Sequence, residues 1–69
     1  MNDTQLIARL RATYRRLWDA HQVLADRNAR LTQSGQQPSN EQLINEQRAA
    51  EAVRQARNEL AAAISQTEP

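Results

Sequence analysis

Apolar residues follow a heptad repeat through the first half of the chain. From Ile7 to Leu31 they recur at alternating intervals of three and four positions, a spacing that places side chains along one stripe of an α-helix. Leucine occupies every d position, and the full set, called the leucine seam below, is Ile7, Leu10, Tyr14, Leu17, His21, Leu24, Asn28 and Leu31. Neither glycine nor proline interrupts the run, which predicts a helix over about residues 3–33.

Turn signals follow the seam and lead into a second helix. Residues 34–38 include Gly35, which can close a helix in the left-handed conformation, and Pro38, which cannot continue one. Ser39 stands three positions before Gln42, the spacing of a capping box. The sequence therefore predicts a loop over residues 34–38 and a second helix over about residues 39–65. Because the loop is short, the two helices should fold back as an antiparallel hairpin.

The second helix offers a smaller apolar surface than the first. Counting Met1, the first helix carries ten large apolar residues, whereas the second carries five. Its predicted inner side consists mostly of alanine: Ala49, Ala50, Val53, Ala56, Leu60, Ala63 and Ile64. Alanine removes little apolar area from water, so we expect part of the leucine seam to stay uncovered.

Chain length makes this mismatch important. A chain of 69 residues buries only about 60% of its unfolded surface, and such chains usually need disulfides, a metal or another subunit. There is no cysteine, and one histidine cannot supply the four ligands of a structural metal site. The predicted fold is therefore a single all-α domain, a coiled-coil-like two-helix hairpin that pairs with a second hairpin in a four-helix bundle.

Two polar residues interrupt the seam, and neither indicates catalysis. His21 lies between Leu17 and Leu24, with no cysteine in the chain and no serine at helical spacing to serve as a nucleophile. We interpret it as a polar seam residue that bonds across an interface or reaches water at its edge. Asn28 either fixes the helix register or lies in an open end near the loop. We predict no enzymatic activity, cofactor, metal or small-molecule substrate, since phosphate-binding loops and zinc motifs are also missing from the sequence.

Two features of the first helix suit partner binding. Tyr14 and Trp18 are the only aromatic residues, and such rings are enriched in binding hot spots. The predicted partner or dimer interface therefore consists of the leucine seam and Trp18. Four arginines share one sector of the helix, Arg9, Arg16, Arg27 and Arg30, and could contact nucleic acid. Asp19 and Asp26 dilute this basic face, so a solvated surface is the simpler interpretation.

The sequence thus favours a small interaction protein of adaptor, inhibitor or co-chaperone type, as found in bacteria and phages. Its expected partner is a second copy, another helical protein, or both. Alternatives are a dimeric nucleic-acid-binding regulator that uses the arginine face, and one piece of a larger helical assembly. Residues 1–69 contain neither a secretory signal pattern nor a long apolar run, so we expect a cytoplasmic location without membrane binding.

Overall fold

The computed structural model describes residues 3–67, with side chains for residues 4–66, and these residues form two α-helices. Helix α1 spans Asp3–Gln33 and helix α2 spans Asn40–Thr67. Helix α2 begins one residue later than the sequence predicts. It also continues two residues further than predicted, because neither glycine nor proline interrupts it there.

The two helices pack side by side along their length as an antiparallel hairpin. The resulting rod measures 52 × 16 × 14 Å, and its radius of gyration is 15.7 Å. A compact globule of this chain length would have a radius of gyration of about 11 Å. The predicted all-α hairpin is confirmed, and it is a single layer of two helices rather than a globule.

A glycine-dependent cap ends α1. The Gln36 amide donates to the Leu31 carbonyl at 2.8 Å, and the Gly35 amide donates to the Thr32 carbonyl at 3.0 Å. This pair of bonds is the Schellman motif, which needs a left-handed residue after the helix. Gly35 supplies it with φ of +82°, as the sequence predicts.

The predicted capping box opens α2. The Ser39 amide donates to Oε1 of Gln42 at 2.8 Å, and the Gln42 amide donates to Oγ of Ser39 at 3.1 Å. The two bonds satisfy amides that the helix itself cannot pair. Caps on both sides of residues 34–39 therefore fix where the chain reverses.

The interior of the rod is thin. Among the side chains that the structure describes, no large one is fully buried, and the buried apolar residues are Ala56 and Ala63. The accessible surface is 5674 Å² for a mass of 7.9 kDa. A compact monomer of that mass would expose about 4,400 Å². The hairpin thus exposes roughly 1,300 Å² more than a chain with a closed core.

Candidate interaction surface

The leucine seam lies along the inner side of α1, against α2. Seven of its eight residues are half-buried, and Asn28 is buried. The facing positions of α2 continue the alternation of three and four, and they are Gln42, Glu46, Ala49, Val53, Ala56, Leu60 and Ala63. Gln42 and Glu46 were not predicted to lie on the inner side, because they are polar. The spacing does include them, since Glu46 lies three positions before Ala49 and Gln42 lies four positions before Glu46.

Asn28 joins the two helices near the loop. Its Nδ2 donates to Oε1 of Glu46 at 2.7 Å and to the Gln42 carbonyl at 3.3 Å. Only 6% of Asn28 is exposed, so it does not lie in an open end of the hairpin. Because both acceptors belong to α2, these bonds tie one position of α1 to one turn of α2.

The other polar seam residue has different surroundings. His21 is half-buried, and within residues 3–67 its imidazole makes no hydrogen bond or ion pair. Over the same residues, no three histidine, cysteine or acidic side chains gather as they would around a metal ion. In this hairpin the imidazole is a polar group at a packing position.

Each side of the seam is a broad flank of the rod. The d positions are the leucines of the seam in α1, and Gln42, Ala49, Ala56 and Ala63 in α2. In antiparallel helices, the residues directly after the d positions of both helices lie on the same side of the pair. Trp18 and Ala25 of α1 therefore share a side with Leu43 and Ala50 of α2. We call this side the tryptophan flank and the opposite side the mixed flank.

The tryptophan flank carries exposed apolar side chains. Trp18 is 45% exposed and Leu43 is also 45% exposed, whereas Ala25 and Ala50 between them are half-buried. The other exposed large apolar residues of the described chain, Leu6, Val23 and Ile44, lie on the mixed flank or the outer sides. The helix geometry thus places Trp18 and Leu43 on one surface, whereas the sequence alone marked only Trp18.

The charges of this flank are all positive and lie at one end. Arg11 and Arg15 precede Trp18 by one to two turns of α1, and together with Tyr14 they line an open cleft of about 280 Å³ beside its ring. Arg54 and Arg57 belong to the same flank of α2, and no acidic residue of the described chain does. Arg54 reaches outwards to Glu51 at 3.0 Å, an exposed pair that contributes little to stability.

The four arginines of the predicted nucleic-acid face lie on the mixed flank, and all are exposed. Arg27 and Arg30 line an open cleft of about 450 Å³ together with Asp26. Arg9 and Arg16 lie further along α1, so the set spans roughly 31 Å of the helix. The antiparallel geometry also brings Glu41, Glu59 and Arg48 of α2 to this flank, so α2 adds two negative charges and one positive charge and weakens the positive field.

Comparisons with known proteins do not assign this surface. No family model, curated protein or solved structure matches the chain. Neither α1 nor α2, over the residues that the structure describes, has the length and apolar character needed to cross a membrane.

Proposed function

We propose that this chain is a non-enzymatic protein–protein interaction module of adaptor, inhibitor or co-chaperone type, which acts by packing its hairpin against another helical protein. One observation carries the proposal. No large side chain among those the structure describes is fully buried, and the hairpin exposes about 1,300 Å² more than a compact monomer would.

The size of this excess supports association. A standard protein interface removes about 800 Å² from each partner, and obligate interfaces remove more than about 1,000 Å² from each. Burying the excess of one hairpin would therefore need an interface of the obligate class. Most of the leucine seam is half-buried against α2, so it can contribute to such an interface only along its uncovered edges.

Concentration dependence tests the proposal. Unfolding in urea, followed by far-ultraviolet circular dichroism and Trp18 fluorescence, should shift to higher denaturant as the protein concentration rises, because association stabilises the folded state by mass action. A hairpin that is only marginally stable as a monomer at every concentration also supports the proposal, since it would need another partner. A monomer with stability above about 5 kcal/mol at high dilution would overturn it.

Nucleic-acid binding is a second candidate, favoured by the exposure of Arg9, Arg16, Arg27 and Arg30. Labelled duplex RNA or DNA should then bind at low salt and dissociate steeply as salt rises. Absence of binding at low salt would eliminate this candidate.

A further inference from the structure

The tryptophan flank has a symmetric arrangement of small and large side chains. Ala25 lies seven residues after Trp18 on α1, and Ala50 lies seven residues after Leu43 on α2. Because α1 and α2 run in opposite directions, the midpoint between the two alanines coincides along the rod with the midpoint between Trp18 and Leu43. Small residues therefore lie at the centre, with one large exposed residue at an equal distance on either side.

The level of these residues follows from the contacts of Asn28. Its bonds to Glu46 and to the Gln42 carbonyl place Asn28 close to the level of Leu43. Trp18 lies ten residues before Asn28, so Trp18 and Leu43 are roughly 15 Å apart along the rod. Consider a two-fold axis that lies in the plane of the flank, perpendicular to the helices, and passes between the two alanines. Rotation about this axis would place Trp18 of one copy at the level of Leu43 of the other.

From this arrangement we infer that the tryptophan flank is the surface on which two copies of this chain pair as a two-fold symmetric four-helix bundle, with Trp18 of each copy beside Leu43 of the other. This inference rests on the proposed function and specifies its partner and surface. The cleft beside Trp18 receives the second copy's Leu43, while Ala25 and Ala50 allow the two layers to approach closely.

The excess exposed area is sufficient for a pair of identical chains. An excess of about 1,300 Å² on each copy sums to about 2,600 Å², which lies within the range of obligate homodimers. Helix length is not limiting, because the flank extends along a rod 52 Å long.

The charges select the direction of the axis. If the axis ran along the helices, the arginine-bearing ends of both copies would lie over each other. Glu51 pairs with Arg54 from outside the flank, but no acidic residue of the described chain lies on the flank itself to compensate the other arginines. With the axis across the helices, Arg11, Arg15, Arg54 and Arg57 of one copy lie over the loop end of the other. The two arginine groups are then roughly 25 Å apart, more than twice the screening length of about 8–10 Å at ordinary salt.

Adjacent residues of α2 provide a matched test. Leu43 and Ile44 are 45% and 47% exposed, but only Leu43 lies on the tryptophan flank. In sedimentation equilibrium, Leu43→Glu should weaken self-association at least about 100-fold, because each dimer would bury two carboxylates, one from each copy. Ile44→Glu should stay within about threefold of the unchanged protein. Dilution of the unchanged dimer should also red-shift the emission of Trp18, the single tryptophan.

A distance measurement tests the axis. The chain has no cysteine, so Ala8→Cys, at an exposed position of α1, can carry a single nitroxide label. The two labels of a dimer should be about 45 Å apart if the axis crosses the helices, and under about 20 Å apart if it runs along them. The longer distance supports the inference, and the shorter one overturns it.

The outcomes separate this inference from the proposed function. Equal weakening by Leu43→Glu and Ile44→Glu, or by neither, would show that pairing uses another surface and would overturn the inference alone. An unchanged protein that is monomeric and marginally stable would also overturn only the inference, because its partner would be a different protein. A stable monomer at high dilution would overturn both.

Discussion

Removing the Asn28 side chain should destabilise the hairpin more than removing the side chain of an exposed asparagine. In Asn28→Ala the carboxylate of Glu46 loses a donor at 2.7 Å, and the Gln42 carbonyl loses a weaker one at 3.3 Å. A hydrogen bond to a charged group contributes about 1.5–3 kcal/mol. Glu46 is half-buried and can recover some hydration, so the expected loss is about 2 kcal/mol.

The comparison variant is Asn45→Ala, which replaces an exposed asparagine of α2. Both substitutions gain the same helix propensity of alanine, so their difference isolates the Asn28 contact. In urea unfolding at one fixed protein concentration, a loss of about 2 kcal/mol lowers the midpoint by about 2 M for a slope near 1 kcal/mol/M. A cycle with Glu46→Ala should give a coupling energy of about 1–2 kcal/mol.

Equal stability of the two variants, within about 0.5 kcal/mol, would refute this reasoning. It would mean that Glu46 and the Gln42 carbonyl are as well satisfied by water as by Asn28. A coupling energy near zero in the cycle would refute it independently.

Two further substitutions have clear expected outcomes. Gly35→Ala should lower the free energy of unfolding by about 1–2 kcal/mol, because φ of +82° is unfavourable for alanine. An added Cβ would meet no atom within 4 Å, so the loss would come from the backbone alone. An unchanged Tm in thermal unfolding would contradict this explanation. Leu17→Asp, at a half-buried seam position, should give a largely unfolded monomer by circular dichroism and light scattering, and a folded particle of unchanged size would contradict the packing role of the seam.

The hairpin could be predicted because its signals are local. The heptad of α1, the left-handed Gly35 and the capping box of Ser39 and Gln42 each involve residues within one or two turns of one another. Such signals decide where helices begin and end without knowledge of the partner helix. The extra length of α2 beyond residue 65 was not predictable in this way, since no local signal ends the helix there.

The surface composition could not be predicted from one helix at a time. Leu43 belongs with Trp18 only because α2 runs antiparallel to α1, which places corresponding flanks of the two helices on one side. The same geometry adds Glu41 and Glu59 to the flank of Arg27 and Arg30, so a face that looks basic on α1 alone is mixed in the hairpin. Glu46 is a similar case, since its role depends on an asparagine eighteen residues away.

The tryptophan flank forms only when the hairpin folds. Trp18 comes from α1 and Leu43 from α2, so the surface exists only while the two helices are paired. A partner that binds this surface therefore binds the folded state and not the unfolded chain, and each tenfold excess of free partner over Kd stabilises the hairpin by about 1.4 kcal/mol. For a rod with so thin an interior, that linkage makes the folded population depend on partner concentration. Unfolding should then be a single transition in which dissociation and loss of helix coincide.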